Sequence, residues 1–165
     1  LGCHILLEER SGVVKDSYAL SGNALLNHLH GACVSKFEPS ADISAKIACL
    51  ANQLIQDGKT PYIIPTGGSD CVGALGYVNC ARELAEQAAD FGLEIDALVH
   101  ATDSAGTQAG LLVGLAAIQS DIHLLGIGVR AAQDQPEHLV FNLAHPTAQH
   151  LGTGVKIARK DVHVN

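Results

Sequence analysis

The stretch Ala97-Leu98-Val99-His100-Ala101-Thr102-Asp103-Ser104-Ala105-Gly106-Thr107-Gln108-Ala109-Gly110 decides how this chain folds. An apolar run at residues 95–100 precedes a turn of small residues, and a second apolar run extends from 110 to 118. The pattern predicts a strand, a turn and a helix whose first turn begins at Thr107. Small residues admit a bound group close to the backbone, and a helix start offers unpaired N–H donors at the positive end of its dipole. The stretch therefore indicates an anion pocket, most often for phosphate, although a strand–turn–helix without a ligand fits it equally well.

The same alternation of strand and helix signals continues along the chain. Short apolar runs predict strands at residues 3–7, 32–37, 61–65, 95–100 and 122–129, and residues 11–18 are predicted as a loop. Apolar residues at helical spacing predict helices at 24–30, 43–54, 73–91, 110–118 and 133–151, the last interrupted or restarted at Pro136 and Pro146. This order predicts an α/β fold with parallel strands, whose ligands gather at the carboxyl ends of the strands.

Composition and charge narrow the classes of function. Of the 165 residues, 47% are hydrophobic and 16% charged, which is typical of a globular protein with one domain or two small lobes. The net charge of −7 and the absence of a basic stripe argue against nucleic acid as a partner. No apolar run approaches the roughly 18 residues of a membrane span. The run at residues 3–7 is too short for a signal peptide and is stopped by Glu8-Glu9-Arg10.

The cysteines and histidines do not indicate a metal centre. The five cysteines form no C-x-x-C pair, and their odd number predicts reduced thiols in a cytoplasmic protein. Among the nine histidines, His28 and His30 are close in sequence, but residues two apart lie on different faces of a helix. The sequence begins with Leu1 and contains no methionine, so we expect it to be an internal piece of a longer protein.

Several residues near the predicted turns could carry chemistry. The turn at residues 66–70 contains Gly67-Gly68-Ser69, which is either a second backbone cradle or a tight turn that needs glycine for a positive φ. It matches neither a dinucleotide fingerprint nor a P-loop. His100, Cys71 and Tyr77 each have a structural interpretation, in the core or in a hydrogen bond, that is more common than a catalytic one. The carboxylate of Asp103 would repel a phosphate unless it points away.

Two segments of the sequence resemble one known enzyme family. The first combines Pro61–Ser69 with Gly73–Val78, and the second is Ser104–Gly110. Both look like the D-cysteine desulfhydrase and 1-aminocyclopropane-1-carboxylate (ACC) deaminase family of pyridoxal-phosphate enzymes, which includes L-cysteate sulfo-lyases. Three further stretches are similar to the same family, at residues 1–8, 21–26 and 151–154 onward.

The resemblance implies a fold and a cofactor site. The fold is a parallel-sheet, two-lobe α/β fold of the tryptophan-synthase-β type, here incomplete, with residues 1–66 in the small lobe and 67–165 in the large cofactor-binding lobe. The residues implied to grip the phosphate of pyridoxal phosphate through backbone and hydroxyl groups are Ser104, Ala105, Gly106 and Thr107. The full-length protein is expected to be a homodimer.

The resemblance also implies a reaction. It indicates a fragment of a carbon–sulfur lyase that converts D-cysteine or L-cysteate to pyruvate, ammonia and sulfide or sulfite. The alternatives are an ACC deaminase and a non-catalytic phosphate-binding α/β fragment. The Schiff-base lysine of the family lies in a Gly-Gly-Asn-Lys segment that does not occur in this sequence, so no catalytic residue and no metal ligand is assigned within it. Asp103 stands where relatives often have glycine or a small apolar residue.

Overall fold

The chain forms two compact units, Leu1–Ile63 and Ile64–Asn165, in the computed structural model. The structure describes residues 2–9, 21–39, 41–129 and 136–165. The loop predicted at residues 11–18 and the helix start predicted at 133–135 lie outside the described residues. In the part that the structure describes, no helix is both long and apolar enough to cross a bilayer.

The first unit alternates strands and helices as predicted. Its elements are β1 (His4–Glu8), α1 (Gly22–Leu29), β2 (Cys33–Phe37) and α2 (Ile43–Gln56). The two strands pair in parallel, with His4 opposite Cys33 at one end of the register. Asp42 caps α2, since its carboxylate accepts a hydrogen bond of 2.9 Å from the backbone N–H of Ala45.

The second unit contains the stretch that decides the fold. Its elements are α3 (Cys71–Asp90), β3 (Ala97–Thr102), α4 (Gly106–Ala117), β4 (His123–Gly128) and α5 (Pro136–Leu151), with 3₁₀ turns at Thr66–Gly68 and Arg159–Asp161. Strands β3 and β4 pair in parallel. Val164 forms a parallel bridge with Gly126, so the chain near residue 164 runs alongside β4. The predicted parallel α/β pattern is therefore confirmed in both units.

Helix α4 lies at the centre of the second unit. Eight of its twelve residues are buried, which follows from a sequence that is apolar on all sides. Ala109 and Val113 pack against Ala144 and Ala148 of α5. On another side Leu111 and Leu115 pack with Ala81 of α3 and Leu124 of β4. Because α4 is buried, the position of its amino end is fixed. That end directly follows the turn after β3.

A glycine at every fourth position lets α4 approach α3 closely. A Cβ added at Gly110 would lie 2.6 Å from the Tyr77 Cβ, and one added at Gly114 would lie 2.7 Å from the Val78 carbonyl oxygen. Real Cβ atoms essentially never come so near another heavy atom. The two helices therefore pack backbone against backbone at these positions, and a larger residue there would force them apart.

The prediction of a strand at residues 61–65 is wrong. In the described part of the chain these residues form no strand, and Tyr62 and Ile64 are 73% and 70% exposed. Pro61 and Pro65 have no N–H to donate to a neighbouring strand, which disfavours pairing in a sheet. The apolar residues between them mimic a buried strand in sequence, and the turn that begins at Thr66 does not follow a strand.

Two element boundaries also differ from the prediction. Helix α5 continues through Pro146, although an interruption was expected there. Next to the missing proline N–H, the Thr147 hydroxyl donates to the Leu143 carbonyl oxygen at 2.7 Å within the same helix. Helix α4 begins at Gly106, one residue before Thr107, where the first helical turn is predicted, because the turn after β3 needs only residues 103–105 to reverse the chain.

The cap of α3 carries a testable effect on stability. The Asp70 carboxylate accepts a 2.7 Å hydrogen bond from the backbone N–H of Gly73, which would otherwise lack a partner in the first turn. We expect Asp70→Ala to lower the free energy of unfolding by about 1 kcal/mol, and Asp70→Asn, which keeps an acceptor oxygen, to cost only a few tenths. Urea unfolding of the three proteins measures this difference. Equal unfolding midpoints for the alanine variant and the wild type would show that the cap contributes nothing.

Candidate functional site

Two turns that are distant in sequence meet in the second unit. The Ser69 hydroxyl donates a hydrogen bond of 2.8 Å to the Ser104 hydroxyl, which is 35 residues away along the chain. A Cβ added at Gly106 would lie 2.7 Å from the Ser69 Oγ. A Cβ added at Gly67 would meet the Ser104 Oγ and lie 2.9 Å from its Cβ. The turns therefore approach each other so closely that both glycines are required.

The turn after β3 presents the amino end of α4 as a set of donors. Ala105 precedes the helix in the left-handed conformation, with a φ of 70°, and no side chain caps the helix. The first bond within the helix runs from the Ala109 N–H to the Ala105 carbonyl at 2.9 Å. The N–H groups of the first three helical residues, 106–108, precede that bond and have no acceptor within the helix. An anion placed there would accept from them and from the positive end of the dipole.

Hydroxyl groups flank these backbone donors. Ser104 and Thr107 are half-buried, whereas Ala105 and Gly106 are buried. Ser69 brings a third hydroxyl through its hydrogen bond with Ser104. The arrangement offers backbone and hydroxyl donors to one small anion, so the residues present fit a phosphate group. Asp103 is exposed, and solvent weakens the repulsion between its carboxylate and such an anion.

The other residues singled out in the sequence take structural positions. Tyr77 is 42% exposed and its Cβ lies where a side chain at Gly110 would have to fit. Cys71 is half-buried in the first turn of α3. His100 lies in β3, with its Nδ1 2.9 Å from the Ala101 carbonyl oxygen. Among the described residues, no hydrogen bond joins any of these side chains to the two serines.

Gln108 is a buried polar residue that was not identified from the sequence, although a signal was available. Its side chain is 1% exposed, and its Nε2 donates to the His163 carbonyl oxygen at 2.8 Å. Gln108 is the one amide side chain in an otherwise small and apolar helix, and a polar group in a buried helix must find a partner. Gln108 is also the third residue of α4, so its backbone N–H is one of the donors at the start of the helix. The same residue therefore combines a backbone donor with a side chain that is anchored in the core.

The chain is similar to known proteins over almost its whole length. The family profile described as pyridoxal-phosphate dependent enzyme matches residues 1–163. The chain is 35% identical over 164 residues to the D-cysteine desulfhydrase of Salmonella paratyphi C (strain RKS4594), covering 99% of this chain and 49% of that protein. It is 37% identical over 159 residues to the D-cysteine desulfhydrase of Yersinia pestis (strain Pestoides F), covering 96% and 48%.

A solved structure gives the same result at the level of the fold. The crystal structure of an ACC deaminase homologue superposes with a TM-score of 0.74 at 25% identity, covering 99% of this chain and 55% of that one. These matches confirm the predicted fold class, a parallel α/β fold of the tryptophan-synthase-β type. The chain spans about half the length of the curated relatives that it matches.

Proposed function

The chain belongs to the family of pyridoxal-phosphate-dependent enzymes, and we propose that its turn Ser104–Thr107 binds the phosphate group of that cofactor. The observation that carries the proposal is the meeting of two turns beside the backbone donors at the start of α4. The Ser69 and Ser104 hydroxyls lie 2.8 Å apart, and beside them the amino end of α4 has no side-chain cap. A dianion would satisfy these groups, and at this position it would also interact favourably with the helix dipole.

The proposed role of this chain is to hold the cofactor and to orient it. When bound, pyridoxal phosphate supplies an electron sink for chemistry at the α-carbon of an amino acid. The turn Ser104–Thr107 would fix the position of the phosphate, because its donors are built into the start of a buried helix. The close packing of Gly67 and Gly106 against the two serines limits how far the donors can move. Rigid positioning of this kind decides where the reactive end of the cofactor points.

We further propose that the full-length protein is a carbon–sulfur lyase. It would act on D-cysteine or L-cysteate with one water molecule and release pyruvate, ammonia and sulfide or sulfite. Two of the relatives compared above are named D-cysteine desulfhydrase, which supports a sulfur-containing substrate. The likeness to an ACC deaminase homologue favours the second candidate, a deaminase of the cyclopropane amino acid.

We propose that residues 1–66 belong to the small lobe and residues 67–165 to the cofactor-binding lobe, in a homodimeric full-length protein. We also propose a cytoplasmic location. All five cysteines lie among the described residues and carry free thiols, which supports a reducing compartment.

A pair of ligands that differ only in the phosphate tests the proposed site. Pyridoxine 5′-phosphate and pyridoxine both lack the aldehyde, so neither can react with surface lysines. We expect calorimetric titration of the purified protein to show binding of the phosphorylated compound at least about tenfold tighter, since hydrogen bonds to a charged group contribute roughly 1.5–3 kcal/mol each. Inorganic phosphate should compete. Equal affinity for the two compounds would contradict the proposal.

A separate assay distinguishes the substrates. The full-length protein is given D-cysteine, L-cysteate or the cyclopropane amino acid, and the keto acid formed is identified. Pyruvate from either sulfur compound supports the lyase, whereas a four-carbon 2-oxo acid from the cyclopropane substrate supports the deaminase. Phosphate-specific binding without any keto acid would leave the non-catalytic binding fragment as the function.

A further inference from the structure

Two buried polar atoms of the second unit lack a hydrogen-bond partner among the described residues. They are the Oε1 of Gln108 and the Nε2 of His100. Unpaired polar atoms in a core are rare because each forfeits its interaction with water. A pair of such atoms in one region therefore points to a bound group that satisfies both.

The topology of the sheet brings the two side chains together. His100 in β3 is opposite Gly126 in the parallel register with β4, and residues paired in this way face the same side of a sheet. The Gln108 Oε1 lies where a Cβ of Gly126 would stand, with its Cδ 2.7 Å from that position. Both polar atoms therefore lie on the side of the sheet that α4 covers, above adjacent strand positions. The absence of a side chain at Gly126 provides the space that the Gln108 amide occupies.

The hydrogen bonds of the two side chains indicate which of their atoms remain as acceptors. The His100 Nδ1 lies 2.9 Å from the Ala101 carbonyl oxygen, which can only accept, so a hydrogen bond there requires the proton on Nδ1. In a neutral imidazole the Nε2 is then an acceptor. Gln108 donates from its Nε2 to the His163 carbonyl, which leaves its Oε1 as an acceptor as well. Two acceptors cannot bond each other, but a water molecule can donate one hydrogen to each.

We propose that His100 and Gln108 bind one water molecule between the Nε2 and the Oε1, above Gly126, and that this bridge positions the first turn of α4. Gln108 is the third residue of α4, so its backbone N–H lies at the donor end of the helix while its side chain is fixed in the core. The His163 carbonyl accepts from the Gln108 side chain at 2.8 Å and from the Gly126 N–H at 3.0 Å. The bridge thus joins β3, β4, α4 and the chain at His163 in one polar network.

The water itself is tested without any ligand. Nitrogen-15 spectra of the histidine side chains in the purified protein should show a ring proton of His100 on Nδ1 and none on Nε2, and His100→Asn identifies the signal by removing it. A crystal structure at high resolution should show a water about 2.7 to 3.2 Å from both acceptor atoms. A proton on Nε2, or a direct contact between the two side chains, would overturn the proposal.

The positioning role is tested by phosphate affinity, and this arm rests on the proposed function. Gln108→Met keeps the length of the side chain and removes its amide, and we expect it to weaken binding of inorganic phosphate about fivefold, within the usual range of coupling between sites. Thr147→Val is the control, because it removes a buried hydrogen bond in α5 and should leave phosphate affinity unchanged. Equal affinity in Gln108→Met and the wild type, or equal losses in both variants, would contradict positioning. If the wild type itself binds no phosphate, the proposed function fails. The nitrogen-15 spectra would still test whether a water molecule bridges His100 and Gln108.

Discussion

Gly67→Ala is expected to weaken the binding of phosphate by at least about tenfold, because overpacking at a tight contact costs roughly 1–3 kcal/mol. The new Cβ would meet the Ser104 Oγ and lie 2.9 Å from the Ser104 Cβ. Ser104 would have to move, and its hydrogen bond with Ser69 would be lost. The backbone at Gly67 also has a φ of 69°, which alanine adopts at a cost of about 1 kcal/mol.

A matched variant separates the effect of the contact with Ser104 from the effect of backbone strain at Gly67. Gly92 has a φ of 64° and lies at the end of α3, with no atom within 4 Å of an added Cβ. Gly92→Ala should therefore lower the stability by about 1 kcal/mol and leave phosphate affinity unchanged. Gly106→Ala, where φ is not positive, should weaken phosphate binding through contact with Ser69 alone. Calorimetric titration with phosphate measures the affinity of all three variants. Wild-type affinity in Gly67→Ala would contradict the claim that close contact between the two turns shapes the phosphate site.

Gly114→Ala is expected to lower the free energy of unfolding by about 2 kcal/mol, within the range observed for overpacked cores. The added Cβ would lie 2.7 Å from both the Ala81 Cβ and the Val78 carbonyl oxygen. Neither atom can yield without moving the backbone of α3, so the two helices must separate. Because Leu111 and Leu115 pack beside this contact, the separation would also loosen the core between α4 and β4.

The control for Gly114 is the same substitution where space is open. Gly76 lies inside α3, and a Cβ added there meets nothing within 4 Å. Gly76→Ala should stabilise the protein by about 0.5 to 1 kcal/mol, since alanine has the higher helix propensity. The two variants thus carry one chemical change with opposite expected signs. Urea unfolding of both measures the difference, and a stabilised Gly114→Ala would show that α3 and α4 are not in close contact.

Local sequence patterns predicted most of the elements. The apolar run at residues 95–100 and the small residues after it indicated β3, a turn and α4, and the structure has all three. Patterns of this kind work because the spacing of apolar residues follows directly from the period of a helix or strand. Residues 61–65 show the limit, because an apolar run between two prolines has the composition of a buried strand without its pairing.

Only the part of the site that lies in one continuous segment could be predicted from the sequence. The turn Ser104–Thr107 is one continuous segment, so its donors follow from the start of a helix. Its contact with Ser69 depends on how α3 packs against α4, and no local pattern specifies that packing. The glycines at 106, 110 and 114 carried a signal, since small residues at every fourth position permit close approach of another helix. That signal indicates contact but not the partner.

The most direct test of the central claim is a backbone amide spectrum of the purified protein during titration with inorganic phosphate. The account predicts that the largest shifts occur at the N–H groups of Gly106, Thr107 and Gln108, and that they saturate together. Shifts that are absent, or that are centred away from the amino end of α4, would contradict the claim that this turn holds the phosphate.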